Sequence, residues 1–304
     1  MRRVKVTLPA TITHLGTGLH SLALAVGLHA TIEITERTDS ALNVETSGED
    51  AGRYALGLRH PVVLGMARVF QKLERAVPGL NVRIESHIPA ALGLGLETTF
   101  FVAGIIGANN LFGSTFKRAD ILRIAAHVTG RPDQAVTAMV GGMTASMMQG
   151  DEVVYRSLPI APLKLVIALP HLPGYADKVR LSVPDRVPVR DALHNINRLP
   201  LLIDALRQGD VALAGQMMDD RVFAPYRTQF IPNFDDIAQI ARLNGASAVT
   251  LCGSGPGIVA LAAKDHARIA DSITAGFEDI GIRAQSWIVP LDTQGVVLSV
   301  AQTG

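Results

Sequence analysis

Residues 88–99 have the sequence IPAALGLGLETT, which is the most informative segment of the chain. It follows a predicted strand at 81–87 and leads into an apolar run at 99–111 that is long enough for a helix. A glycine turn before a helix leaves the first backbone N–H groups unpaired and aims them, with the positive end of the helix dipole, at one point. Because Gly93 and Gly95 allow an anion to approach the backbone closely, this turn is predicted to bind phosphate.

Length and composition are those of a globular chain. The sequence has 304 residues, of which 48% are hydrophobic and 18% charged, so one large or two medium domains can form. A net charge of +1 gives no electrostatic reason to expect nucleic acid or an acidic membrane as a partner. The single cysteine, Cys252, excludes an intrachain disulfide and fits a reducing compartment. The longest apolar run, 100–108, is too short to cross a bilayer, so a soluble cytoplasmic protein is expected.

Hydrophobic periodicity predicts a mixture of strands and helices with hairpin-like strand pairs, which favours an α+β fold over a doubly wound parallel sheet. A cluster of prolines across 157–187 places a domain boundary near 155–160, so the predicted domains are 1–157 and 158–304. The predicted strands are 4–8, 22–36, 81–87, 143–149, 152–156, 163–169, 246–251, 258–262, 281–289 and 295–300. The predicted helices are 61–76, 99–111, 118–128, 131–139, 191–208, 211–219, 235–244 and 264–276.

Two further glycine-bearing turns accompany the first. Residues 9–22, PATITHLGTGLHSL, lie near the start of the chain, and residues 253–257, GSGPG, separate two predicted strands near its end. The three turns resemble the motifs of the GHMP kinase superfamily, which are Pro-x-x-x-Asn-Leu-Gly-x-Gly-Phe-Asp, Pro-x-x-x-Gly-Leu-Gly-Ser-Ser and Gly-Ser-Gly-Pro. This resemblance implies a two-domain GHMP kinase-like fold with its active site in the interdomain cleft.

The second half of the chain resembles the homoserine kinases within that superfamily. Residues 191–198, DALHNINR, are similar to Asp-Ala-Val-x-Asn-x-x-Arg, and residues 219–227, DDRVFAPYR, are similar to Asp-Arg-x-x-x-Pro-Tyr-Arg. Residues 130–134, GRPDQ, parallel Gly-His-Pro-Asp-Asn. The resemblance implies a kinase that uses ATP and Mg²⁺ to phosphorylate the hydroxyl of a small carboxylate-bearing alcohol, with homoserine as the first candidate. By the same analogy the chain is expected to form a homodimer.

The resemblance also assigns roles on the nucleotide side of the site. Asp133 is expected to orient the substrate hydroxyl or accept its proton, and Arg131 to neutralise charge on the transferring group. Glu97 is the candidate metal ligand, because Mg²⁺ prefers hard oxygen ligands. On the residues alone, a carboxylate at a helix start remains an alternative for Asp133. The residues expected to hold the nucleotide phosphates are Gly93, Leu94, Gly95, Glu97, Thr98 and Thr99.

On the acceptor side, the two arginines of the homoserine kinase-like segments match residues that bind the substrate carboxylate. A guanidinium fork binds a carboxylate bidentately, although surface or helix-capping arginines remain an alternative on the residues alone. The residues expected to contact the acceptor are His14, His20, Asn195, Arg198, Tyr226, Arg227, Gly253, Ser254 and Gly255.

The chain departs from the family pattern at several of these positions. The asparagine and aspartate of the first motif are His14 and His20, and a histidine cannot carry the negative charge that favours a nearby ammonium group. The serines of the middle turn are Leu96 and Glu97, and a metal-ligand glutamate of the family is Thr129. Glu97 is expected to supply the carboxylate that Thr129 lacks.

Two alternatives therefore stay open. Residues 13–16 and 93–99 are also similar to segments of β-ribofuranosylaminobenzene 5′-phosphate synthase, which implies a transferase that uses phosphoribosyl pyrophosphate. The other alternative is a non-catalytic ligand-binding member of the superfamily.

Overall fold

The computed structural model describes residues 2–49, 51–90, 93–180, 182 and 185–302. Their strands are β1 (Arg2–His14), β2 (Gly18–Glu36), β3 (Leu42–Gly48), β4 (Leu80–Ser86), β5 (Met143–Gln149), β6 (Glu152–Leu158), β7 (Lys164–Pro170), β8 (Ala248–Leu251), β9 (Ile258–Leu261), β10 (Ala284–Pro290) and β11 (Val297–Gln302). Their helices are α1 (Pro61–Lys72), α2 (Leu96–Leu111), α3 (Arg118–Thr129), α4 (Pro132–Val140), α5 (Tyr175–Arg180), α6 (Val189–Gln208), α7 (Val211–Met217), α8 (Ala224–Thr228), α9 (Phe234–Leu243) and α10 (His266–Glu278).

The first sheet has seven strands and is built around the long β1–β2 hairpin. Its main order is β11-β1-β2-β4-β3, and β5 pairs with β2 and carries β6 beside it. β1 and β2 are antiparallel, while β3 runs parallel to β4. Most apolar residues of both central strands are buried against α2, on which α1 packs, so this sheet and its helices share one large core.

The second sheet has four antiparallel strands in the order β10-β7-β9-β8. Helices α9 and α10 pack against it and close a second core around Val166, Ile258 and Phe277. The chain leaves the first sheet after β6 and enters the second at β7, but β11 returns to the edge of the first. The division of the chain into 1–157 and 158–304 stays a prediction, since strand pairing alone does not define one cut.

Helix α2 positions the glycine turn because it is buried on almost every side. Of its 16 residues 14 are buried, which is typical of a central helix. It packs on α1 and β1, so its N-terminus is held in a fixed place relative to the first sheet.

The α+β class is confirmed, and each strand and helix predicted from periodicity is present with shifted ends. The structure adds β3, α5 and α8, which the sequence did not predict. Within the described residues, no helix is long and apolar enough to cross a membrane.

Candidate functional site

The middle glycine turn forms as predicted. Gly95 is the N-cap of α2 with φ 70°, Gly93 has φ 109°, and no side chain caps the helix. A Cβ on Gly93 would collide with the carbonyl of Cys252, and a Cβ on Gly95 would collide with the Thr11 hydroxyl. The backbone can take this path only with glycine at both positions.

The three glycine-bearing turns meet at this point. The Thr11 N–H donates to the carbonyl of Leu94 at 3.0 Å, and the Gly253 N–H donates to the carbonyl of Thr13 at 3.2 Å. The Cys252 thiol is fully buried and lies 3.1 Å from the carbonyl of Gly93. Segments from the start, middle and end of the chain therefore form one continuous surface, which we call the floor of the site.

A cavity of about 330 Å³ opens beside this floor. Its walls combine aromatic and aliphatic groups with polar groups, so it suits a ligand with one flat apolar part and one anionic part. The apolar lining includes Tyr54, Pro61, Leu64, Phe101 and Val128, and the polar lining includes Gly93, Gly95, Glu97, Thr98, Thr129, Arg131, Gln134 and Ser254.

The residues predicted to hold phosphate do not all face this cavity. Glu97 is exposed on its wall, and the Thr98 hydroxyl there donates to the side-chain carbonyl of Gln134 at 2.7 Å. Thr99 is fully buried, and its hydroxyl lies 3.4 Å from the carbonyl of Pro9. Thr99 and the buried Leu94 side chain are not on the cavity wall, and the Thr98 hydroxyl donates its proton to Gln134. The backbone N–H groups of the helix N-terminus are therefore the donors that remain available.

Asp133 and Arg131 form a bidentate ion pair next to the cavity. Arg131 donates from Nε to Asp133 Oδ1 at 3.1 Å and from Nη2 to Oδ2 at 2.9 Å, and Nη2 also lies 3.1 Å from the Thr13 hydroxyl. Asp133 is only 1% exposed, and the Gln134 N–H also donates to its Oδ1. The guanidinium of Arg131 therefore faces the cavity while Asp133 supports it from behind.

On the other side of the Gly253 turn lies a second group of side chains, which we call the histidine–arginine cluster: His14, His20, Phe223 and Arg227. The Arg227 guanidinium stacks 4.6 Å from the centre of the Phe223 ring, and the rings of His14 and His20 are 4.9 Å apart. Arg227 Nη1 lies 3.4 Å from both His14 Nε2 and the Gly253 carbonyl. Arg227 is 6% exposed, and its Nε is buried with no hydrogen-bond partner.

The charge state of the cluster follows from these contacts. Since a guanidinium only donates, His14 Nε2 accepts, which leaves the proton on Nδ1 beside the Thr13 hydroxyl at 3.0 Å. Burial, followed by the charge of Arg227, lowers the pKa of His14 well below its usual value. Desolvation, followed by the charge of Arg131, also lowers the pKa of His20, which lies exposed at the rim. Both imidazoles are therefore neutral at pH 7.

Asn195 supports the cluster and does not face it. Its side-chain amide donates to Asp220 Oδ1 at 2.7 Å, and its carbonyl accepts from the Arg221 N–H at 3.0 Å. Asp220 in turn accepts from the backbone N–H groups of 222–224, which form the turn into α8. Asn195 is thus a positioning residue for Phe223 and Arg227.

Arg198 and Tyr226 are not brought into the cluster. Arg198 lies one turn after Asn195 on α6, donates from Nη1 to the His194 carbonyl at 3.3 Å, and has a buried Nε without a partner. Tyr226 is half-buried, and within the described residues neither side chain has a hydrogen bond to the cluster. The predicted pair of carboxylate-binding arginines is therefore represented in the cluster by Arg227.

Tyr175 is a site residue that the sequence did not predict. Its hydroxyl donates to the carbonyl of Ser254 at 2.9 Å, and a Cβ on Gly255 would collide with it. Burial raises the pKa of this phenol far above its usual value, so the hydroxyl stays a donor. No local signal marks it, because Tyr175 reaches the turn only when α5 folds against the second sheet.

Glu97 is the candidate metal ligand on the cavity wall. Within the described part of the chain, no group of three or more His, Cys, Asp or Glu side chains is arranged to hold a metal ion. Mg²⁺ needs only one or two carboxylates when phosphates and waters complete its shell, and the exposed Glu97 carboxylate on the cavity wall fits that requirement.

Comparisons with known proteins agree with this architecture. The GHMP kinases N terminal domain family matches residues 61–142, and the GHMP kinases C terminal family matches residues 202–279. A homoserine kinase of Moorella thermoacetica is 32% identical over 91% of this chain and 94% of its own length. A homoserine kinase of a Picosynechococcus species is 30% identical over 98% of this chain and 100% of its own length.

Solved structures support the fold. The crystal structure of homoserine kinase from Cytophaga hutchinsonii has a TM-score of 0.85 at 24% identity, covering 98% of this chain and 97% of that one. The L. major mevalonate kinase in complex with R-mevalonate has a TM-score of 0.71 at 17% identity, covering 95% and 96%. The two-sheet α+β arrangement is therefore shared with these kinases.

Proposed function

Because the chain belongs to the GHMP kinase family and is a small-molecule kinase, we propose that it transfers a phosphoryl group from ATP to the hydroxyl of a small carboxylate-bearing alcohol. Homoserine is the first acceptor to test, since the curated relatives are homoserine kinases. The observation that carries the proposal is the meeting of the uncapped α2 N-terminus, Arg131 and the Gly253–Ser254 turn around one cavity.

The cavity suits a nucleotide in two ways. Its apolar lining, including Tyr54 and Phe101, would accept a flat base, and the N-terminus of α2 would accept phosphate oxygens through backbone N–H groups. Glu97 would hold Mg²⁺, which would neutralise phosphate charge when bound. Without the metal, the Glu97 carboxylate would repel the nucleotide, so ATP binding should depend on Mg²⁺.

The reaction requires positioning and charge neutralisation more than a protein nucleophile. The acceptor oxygen forms a bond to the terminal phosphorus, the bond between that phosphorus and the ADP oxygen breaks, and the hydroxyl proton passes to solvent water. Arg131 would offset charge on the transferring group, and its bidentate pair with Asp133 fixes the plane of its guanidinium. We propose that Asp133 acts chiefly through Arg131, because both carboxylate oxygens already accept hydrogen bonds from it.

The acceptor carboxylate would bind at Arg227. This guanidinium is buried, stacked on Phe223 and left with an unpaired Nε, and a buried cation without an anion is unfavourable. A carboxylate would satisfy both its charge and its free donor.

The direct experiment is to incubate the purified chain with Mg²⁺, ATP and homoserine and to measure ADP release and the phosphorylated product by ³¹P NMR. We expect stoichiometric ADP and O-phosphohomoserine. Consumption of phosphoribosyl pyrophosphate without ADP release would instead favour the transferase alternative. Binding of ATP without turnover of any hydroxy acid would favour a non-catalytic ligand-binding protein. The named relatives are kinases, which supports the first outcome.

A further inference from the structure

Two guanidinium groups and two carboxylates set the charge around the histidine–arginine cluster. Arg131 and Arg227 both act on His14 and His20, and all four groups lie around the Thr13–Gly253 contact. The carboxylates whose charge acts on this region are Asp133, which influences His20, and Asp220, which influences Arg227. The balance of charge at the acceptor side therefore depends on whether those carboxylates are free.

Neither carboxylate is free to meet a ligand. Both oxygens of Asp133 accept from Arg131, and the residue is 1% exposed. Both oxygens of Asp220 accept from backbone N–H groups of the turn into α8, and Oδ1 also accepts from Asn195. The lone pairs of Asp220 are all used, and the one lone pair left on Asp133, at Oδ2, belongs to a side chain that is almost fully buried, so neither carboxylate is open to an ammonium group on the acceptor.

Of the side chains in the cluster, the neutral imidazoles are the ones that can accept from an ammonium group. His14 Nε2 already accepts from Arg227, so of the two imidazoles a single nitrogen of His20 is left as an acceptor. One neutral nitrogen cannot satisfy three N–H donors, and it offers no opposite charge near the Arg227 guanidinium. An anionic group, in contrast, meets Arg227 with its unpaired Nε.

On the basis of the proposed kinase function, we propose that this site selects its acceptor by the carboxylate and does not select for an α-ammonium group. The acceptor class is then short hydroxy carboxylates in general. The deamino analogue of homoserine, 4-hydroxybutanoate, should be phosphorylated at least as efficiently as homoserine itself. His20 is the residue responsible for this lack of selection. It occupies the rim of the cluster, where a carboxylate would favour acceptors that carry an ammonium group.

The test compares kcat/KM for homoserine, 4-hydroxybutanoate and 2,4-dihydroxybutanoate, with binding of each acid measured by calorimetry. We expect the kcat/KM and the affinity for 4-hydroxybutanoate to be at least equal to those for homoserine, within a threefold margin. A tenfold or greater preference for homoserine in either readout would overturn the inference while leaving the kinase function intact. If no acid is phosphorylated but the acids bind equally well, the inference on recognition holds and the kinase function fails.

Two variants of His20 sharpen the comparison. His20 has φ 52°, a left-handed conformation that asparagine and aspartate tolerate, so His20→Asp and His20→Asn should both fold. His20→Asp adds a carboxylate at the rim and should shift the homoserine to 4-hydroxybutanoate ratio at least tenfold toward homoserine. His20→Asn, the neutral control, should leave that ratio within threefold of the parent. Equal ratios in both variants would show that the rim does not govern acceptor choice.

Discussion

At the scale of single residues, Arg227 combines burial with an unsatisfied donor. Its aromatic stacking and its contact with the Gly253 carbonyl fix the guanidinium, yet Nε has no partner. The sequence pattern predicted this arginine in the site together with Arg198, but the Arg198 guanidinium donates to the His194 carbonyl of its own helix. Spacing within a motif identifies candidate residues, whereas the direction in which a helix presents them depends on packing with other elements.

Replacing Arg227 should weaken acceptor binding selectively. A charge-assisted hydrogen bond contributes about 1.5–3 kcal/mol, so Arg227→Ala should raise the KM for the acceptor by roughly tenfold to a hundredfold with little change in the KM for ATP. Steady-state kinetics with each substrate varied in turn would measure this. Arg207→Ala, which removes an exposed arginine paired with Asp204, is the matched control and should leave both constants unchanged. Parent-like kinetics for Arg227→Ala would remove this residue from the site.

At the scale of elements, two helix N-termini face or flank the cavity. α2 begins at an uncapped glycine and leaves its first N–H groups available, while α1 begins at His60, whose Nδ1 accepts from the Val62 N–H at 3.2 Å. Glycines in the sequence predicted the first, but nothing predicted that a histidine would cap the second. Histidine is not a common N-cap, and its burial against Phe100 depends on how α1 and α2 pack.

The α2 N-terminus should not tolerate a side chain at its cap. Gly95→Ala would force a left-handed conformation on alanine and push the Thr11 hydroxyl aside, so we expect the KM for Mg-ATP to rise at least tenfold. Gly113→Ala is the matched control, because Gly113 also has a positive φ but faces open space. Equal effects of both changes on ATP binding would mean that backbone strain, and not the phosphate turn, is responsible.

His60 should make the free energy of unfolding depend on pH. Burial lowers the pKa of His60 to about 4, so between about pH 6.5 and 4 the unfolded chain binds a proton that the folded chain does not. Stability is therefore lost as the pH falls through this range, by about 2–3 kcal/mol from this group.

The matched variant is His60→Asn, which keeps a good N-cap and does not titrate. Urea unfolding gives the free energy of unfolding of parent and variant at pH 7 and at pH 4.5. The difference between parent and variant is taken at each pH, and the change in that difference between the two pH values measures the effect. A stability difference that is the same at both pH values would contradict the buried neutral state of His60.

At the scale of the whole molecule, the site exists only because the two sheets come together. Periodicity was enough to predict most elements and the α+β class, since the burial of each face leaves a local pattern. It could not predict the parallel pairing of β3 with β4, because β3 is short and half exposed. Nor could it predict Tyr175, whose contact with Ser254 joins residues 79 positions apart.

Tyr175 joins the second core to the Ser254 turn, so changing it should affect both stability and activity. Removing its hydroxyl with Tyr175→Phe keeps the ring in that core and loses a hydrogen bond to the Ser254 turn, which contributes about 1 kcal/mol. We expect kcat/KM for the acceptor to fall by about fivefold with a small loss of thermal stability. Tyr155→Phe, on β6, is the control and should change neither. A loss of stability with unchanged kinetics would show that the contact is purely structural.

The return of β11 to the first sheet has a consequence for the edge of that sheet. β11 pairs with β1 from Arg2 to Thr7 after the chain has passed through the second sheet. Without β11, the outer backbone groups of β1 would have no partner, which is the condition in which strands pair with foreign chains. The six residues of β11 therefore protect β1 from such pairing.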